Sequence, residues 1–268
     1  EPSRRQRQMC IRDRYYTLTE VGSQVGDFWG YEVDGIFGTQ SEIDVLTYTE
    51  DGITYQTYGP TVGPGDYRFK DQLTVDTDGD GIADAGDGKI DENDKVKIGS
   101  PYPDFTLGFT GDLSYKGFDL NLFLYWNHGN EIFNTVKAFT ETPYEQTNMV
   151  SYMLTDAWRP DNPDATIAQL GGDRQNNYAR ASDAYIEDGS FLRFKNISIG
   201  YTLPKTVSRK IGMEKLRFYA ALQNYFTITK YTGRDPELGS TWGVFVQKAD
   251  LGNYTLPKTM NFGINATF

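Results

Sequence analysis

The densest set of chemically capable side chains lies in VDTDGDGIADAGDGKIDENDK, residues 75–95. Asp76, Asp78 and Asp80 alternate along the chain, followed by Gly81, the Ile82 carbonyl, Asp84 and Asp87. Counted from Asp76, these occupy the ligand frame of an EF-hand calcium loop, in which alternate residues turn oxygens inward and a glycine permits the sharp bend. The last position holds Asp87 where a bidentate Glu is usual, so the shorter side chain weakens the expected site. Asp91 and Asp94 extend the acidic run without completing a second frame. Crowded carboxylates are unfavourable without a cation, so the expected ligand is Ca2+, stiffening an extracellular loop. Mg2+, with a small octahedral shell that retains waters, fits less well. A solvated acidic loop without metal is the competing reading.

Other residue types offer less chemistry. His128 is the single histidine and has no evident partner in sequence, which suits a strand-end residue better than a catalyst. Asp235 and Glu237, in GRDPE, have the residue types of a glycosidase acid/base pair, but carboxylates flanking a proline more often mark a structured turn. There is no G-x-S-x-G nucleophile elbow and no phosphate-cradling glycine loop followed by lysine. The net charge of −11 disfavours binding to nucleic-acid phosphates. The chain therefore reads as a non-enzyme.

The elements that position these residues are strands. Aromatics make up 15% of the chain and no apolar stretch approaches the length of a membrane-spanning helix, a mix suited to strands, turns and aromatic girdles. Phe105, Leu107, Phe109, Leu113 and Tyr115 share one face of a two-residue period. After the Lys116-Gly117 turn signal, Phe118, Leu120, Leu122, Leu124 and Trp126 continue it. Further strands are expected over Phe191–Leu203, with a bulge near Lys195-Asn196 where the face slips, over Leu216–Phe226 and over Met260–Phe268. An upstream strand at about Phe28–Phe37 makes six. Asn148–Trp158 has a helical spacing, with Met149, Tyr152, Met153 and Ala157 near one face, and could pack on a rim or a partner.

Connections alternate strictly between short (116–117, 204–214) and long (38–103, 128–184, 227–256), as in outer-membrane barrels with short periplasmic turns and long extracellular loops. The fold class expected is all-β: an antiparallel transmembrane β-barrel segment. Such barrels start at eight strands, and an open sheet in lipid leaves backbone groups unsatisfied. The expectation is thus a fragment whose remaining strands precede it. Residues 1–14, EPSRRQRQMCIRDR, resemble a translated sequencing adapter and are set aside with Cys10; residues 15–268 are the barrel portion. On the wet face, Asn121, Tyr125, Arg217, Tyr219, Gln223 and Tyr225 could hydrogen-bond and stack on a passing solute, or simply line the lumen.

The strings GDYRFKD (65–71), IGSPYPDFTLGF (98–109), WRPDNPDA (158–165), EDGSFLRFKNISIGYTLP (187–204), QNYFTITKYTGRDPE (223–237) and LPKTMNFGINATF (256–268), in this order, resemble the C-terminal region of SusC/RagA-type TonB-dependent receptors. The resemblance spans about residues 26–268. It implies a roughly 22-stranded plugged barrel, of which this chain would supply the last six or so strands. It also implies import of oligosaccharides or peptides, a SusD-like surface lipoprotein partner, coupling to TonB through a region outside this chain, and contact with outer-membrane lipid. Phe268 would serve as the terminal aromatic read by the barrel-assembly machinery, and as a girdle residue. A secreted calcium-dependent glycan-binding or adhesion β-domain is the alternative; solubility without detergent would favour it.

Overall fold

In a computed structural model, residues 16–141, 148–240, 243 and 245–268 are described. The adapter-like residues 1–14 lie outside them. The chain divides into two compact units.

One unit comprises Tyr102–Glu131, Asp188–Glu237 and Asn253–Phe268. It is built on five antiparallel strands: β1 (Phe105–Tyr115), β2 (Phe118–His128), β3 (Phe191–Thr202), β4 (Lys215–Thr229) and β5 (Thr259–Thr267). Their order in the sheet is β5-β4-β3-β2-β1, each strand beside its neighbour in sequence. The β1–β2 hairpin closes as expected on Lys116 and Gly117, both at positive φ (47° and 88°), which gives a two-residue turn the twist of its strands. At about 3.3 Å per residue, the 11 residues of β1 reach roughly 36 Å. Tilted by about 40°, that length crosses the roughly 25 Å apolar band of an outer-membrane barrel.

Register turns the sequence alternation into continuous rows. Leu113, Leu120, Ile199, Ala220 and Phe262 lie side by side across all five strands. Tyr115, Phe118, Tyr201, Phe218 and Ile264 form the row next to the turns. Leu113 is 68% exposed, Phe262 75% and Ile264 64%, so the described chain leaves this apolar face uncovered. An exposed apolar face of this extent needs a non-aqueous neighbour, and lipid is the one a barrel wall meets.

The predicted slip in β3 is present. The register shifts between Phe194 and Asn196 against both β2 and β4, and Asn224 in β4 sits opposite the shift at φ 52°. One extra residue in β3 moves its apolar positions from Leu192 and Phe194 to Ile197, Ile199 and Tyr201, so both sets stay on the apolar face.

The second unit holds the described residues of Glu1–Pro101, Ile132–Glu187 and Leu238–Gly252. It corrects two expectations. The strand expected at Phe28–Phe37 divides into Asp27–Gly30 and Val33–Ile36. The first pairs with Thr17–Leu18 and Val96–Gly99, the second with Tyr67–Phe69, and neither joins β1–β5. Phe28 and Phe37 are fully buried, so they are core residues and not lipid-facing ones. Among the described residues the long sheet therefore has five strands where about six were expected. The long connections are also more than loops. Tyr16 and Phe28, Phe133, Ala181 and Tyr185, and Val246 and Ala249 come from three separate stretches and share one core. Backbone bonds stitch the stretches together, from Tyr31 N–H to the Ala181 carbonyl (2.8 Å) and from Asp250 N–H to the Phe133 carbonyl (2.9 Å). The helical spacing at Asn148–Trp158 yields one turn, Met153–Asp156; Met153 and Ala157 are buried within this unit.

Candidate functional site

The face of β1–β5 opposite the apolar rows is polar. Asp112, Asn121 and Ser198 stand in one row, and Ser114, Asp119, Gly200, Tyr219 and Gly263 in the next. The first row continues as hydrogen bonds: Asn121 Nδ2 donates to Asp112 Oδ1 at 2.7 Å, and Asn196 Nδ2 donates to Asn121 Oδ1 at 2.6 Å. In the second, Arg217 reaches across β3 to grip Asp119 with two arms, its Nε donating to Oδ1 at 2.9 Å. Gly200 makes this possible, because a Cβ there would run into both the guanidinium and the carboxylate. Gly263 likewise leaves room for the Tyr219 ring, which lies 5.1 Å from the Arg217 guanidinium. The pair is partly exposed, so its contribution to stability is small; its effect is to fix charge and an aromatic plate at one place on the wall.

Of the six wall residues expected from sequence, Asn121, Tyr125, Arg217, Tyr219 and Gln223 occupy register positions on this polar face. Tyr125 has the Lys195 ammonium 5.6 Å from its ring. Tyr225 lies within the irregularity opposite Lys195, packed edge-on to Phe226 at 5.1 Å. Asp119 and Asp112 were not singled out from sequence. Only the cross-strand register shows that Asp119 faces Arg217, 98 positions away in the chain.

Asp235 and Glu237 belong to a partly buried ion network on the turn around Pro236. Arg193, 3% exposed, donates to Asp235, to Glu237 and, through Nε at 2.9 Å, to Thr227 Oγ1. Glu237 also accepts from Lys195. Asp235 accepts in addition from the amides of Glu237 (2.9 Å) and Leu256 (3.2 Å). Burial alone would raise the Asp235 pKa, but the Arg193 bond and these amides outweigh it and hold the carboxyl below its ordinary range. The Asp235 carboxyl is therefore not poised to donate a proton at neutral pH. His128, at the strand end, lies tilted against the rings of Phe105 (5.1 Å) and Trp126 (5.8 Å).

In the acidic loop, Asp76, Asp78 and Asp80 each offer an oxygen within 4.8 Å of the others. The Asp76 carboxylate accepts from the amides of Gly81 (2.8 Å) and Gly79 (2.7 Å), which lower its pKa. Asp84 and Asp87 are not part of this three-carboxylate group among the described residues. Asp84 is bonded by the Thr77 hydroxyl and amide, Asp87 accepts from the Lys89 amide at 2.9 Å, and Ile82 donates its own amide to Asp80 at 2.8 Å. Asp91 and Asp94 form a reciprocal cap on the short turn Glu92–Asp94. Burial pushes the Asp94 carboxyl up. Phe268 follows directly on β5 and is 86% exposed.

No family model matches the chain. It is 32% identical over 265 residues to TonB-dependent receptor P3 of Formosa agariphila, covering 95% of this chain and 23% of that protein. It is 34% identical over 159 residues to TonB-dependent receptor SusC of Bacteroides thetaiotaomicron, covering 58% of this chain and 15% of that one. Its fold is similar to a chain in the structure of the RagAB peptide transporter, with a TM-score of 0.68 at 24% identity, covering 96% of this chain and 24% of the other. The chain spans about a quarter, or less, of the length of the curated relatives it matches. With an uncovered apolar face, a polar inner face and these likenesses together, the chain belongs to the SusC/RagA class of TonB-dependent receptors, β-barrel proteins of the Gram-negative outer membrane.

Proposed function

We propose that this chain forms part of the wall of an outer-membrane importer that takes up oligosaccharides or peptides, coupled to TonB and working with a SusD-like surface lipoprotein. The observation that carries this reading is the five-stranded sheet with one uncovered apolar face and one hydrogen-bonded polar face. Such two-sidedness suits a wall between lipid and a wet lumen. The likeness to SusC and to the RagAB peptide transporter supports nutrient import. The polar face supplies amide, carboxylate, guanidinium and phenol groups, which can hydrogen-bond and stack on sugars or peptide backbone. Ca2+ held by Asp76, Asp78 and Asp80 is part of the same proposal, as a brace for the acidic loop.

The test uses the full receptor in its own cell. A strain lacking the receptor gene is compared with its parent for uptake of labelled oligosaccharide and oligopeptide panels. Loss of uptake from at least one panel, restored by the gene and abolished without TonB, is expected. Unchanged uptake across both panels, or recovery of the receptor in a detergent-free soluble fraction, would sink the reading.

A further inference from the structure

The turn between β3 and β4 carries a feature that the transport reading does not use. It is a short helical segment, Lys205–Ser208 continuing as Arg209–Ile211, ended by Gly212 at φ 75°. Lys205, Arg209 and Lys210 are all exposed, and none makes a side-chain hydrogen bond or ion pair among the described residues. Three unpaired cations in six residues form a concentrated positive site. The same segment exposes Val207 (44%) and Ile211 (54%), spaced i, i+4.

The surroundings indicate what this segment meets. Thr202, at the end of β3, donates its amide to the Gly117 carbonyl at 2.7 Å, which binds the β1–β2 turn to the same end of the sheet. That end bears the aromatic row Tyr115, Phe118, Tyr201 and Phe218 on the apolar face. Lys116 extends over the Tyr115 ring, its ammonium 5.1 Å from the centroid. Aromatic rows with basic side chains at their margin are the pattern of a membrane–water interface.

We propose that the Lys205–Ile211 turn is a binding surface for anionic phospholipid headgroups of the periplasmic leaflet, with Val207 and Ile211 dipping into the acyl boundary. The inference rests on the outer-membrane reading above, because the short turns are periplasmic only in that setting. Charge complementarity selects the partner: a phosphodiester with no compensating cation, as in phosphatidylglycerol, is favoured over zwitterionic phosphatidylethanolamine. Each cation near such a surface contributes a factor on the order of five in binding.

The experiment is lipid retention by the purified full receptor. The receptor is equilibrated in nanodiscs of equal phosphatidylglycerol and phosphatidylethanolamine, and the lipids that remain bound are counted by native mass spectrometry. Phosphatidylglycerol should be enriched, and the K205Q/R209Q/K210Q variant should lose at least about tenfold of that enrichment. Equal retention of the two lipids, or unchanged enrichment in the variant, would overturn the proposal. So would displacement by inorganic phosphate alone, which marks a soluble-anion site. If the variant does not assemble, the unaltered receptor decides. Its enrichment must fall as salt is raised to about 1 M, where screening shortens to about 3 Å, and enrichment that ignores salt refutes the idea. A receptor that does not enter nanodiscs at all refutes the outer-membrane reading itself, a distinguishable result.

Discussion

Replacing Arg193 with glutamine removes the cation on which two carboxylates of the β4–β5 connection depend. Asp235 is 6% exposed, and Arg193 is its only cationic partner among the ion pairs of the described residues. Removing one partner of a buried ion pair costs about 3–5 kcal/mol. The lower end applies here, because Glu237 is partly exposed and keeps Lys195, and Asp235 keeps two amide donors. About 3 kcal/mol corresponds to a rise on the order of a hundredfold in local opening. Hydrogen exchange of the full receptor reads this directly at Glu237 and Leu256, the two residues whose amides bond Asp235. The pH dependence adds a check of sign. With Arg193 present the Asp235 pKa is depressed, so its stabilisation is present above the unfolded value and is lost as pH falls below about 4. Without Arg193, burial dominates and raises the pKa, so the loop should become better protected on acidification. A threefold or smaller change in exchange, or an unreversed pH trend, would refute the assignment of this network as the anchor of the connection.

Other outcomes follow from the same geometry. Gly200→Ala should separate Arg217 from Asp119, because the added methyl meets both, and alter solute uptake while assembly is preserved; unaltered uptake kinetics in an assembled receptor would count against a role for this pair. Phe109→Arg, near the middle of β1 on the uncovered apolar face, should cost about 2–4 kcal/mol and lower the yield of heat-modifiable folded barrel on gels, whereas a wild-type yield would argue against lipid contact. Calorimetric titration of the full receptor with Ca2+ should give a heat that Asp76→Asn removes, and no heat at millimolar Ca2+ would dismiss the metal brace.

Sequence alone determined the local order of the wall. Alternation with a period of two, the Lys116-Gly117 turn and the face slip at Lys195-Asn196 are properties of neighbouring residues, and β1–β5 follow them closely. The spacing of Asp76, Asp78 and Asp80 was legible for the same reason, since a few residues of backbone suffice to bring them together. Tertiary structure alone decided the rest. Phe28 and Phe37 look like strand positions, but their burial depends on Phe133, Tyr58 and other partners far along the chain. Asp235 and Glu237 read in sequence as a structured turn around Pro236, but their partner Arg193, 42 and 44 positions away, is not legible there. Asp84 joins Thr77 and not the acidic cluster because the loop closes through backbone bonds between Val75 and Ala85. A periodic pattern reports which side of a strand is apolar; which distant group meets a side chain is set by register and packing, to which local spacing is blind.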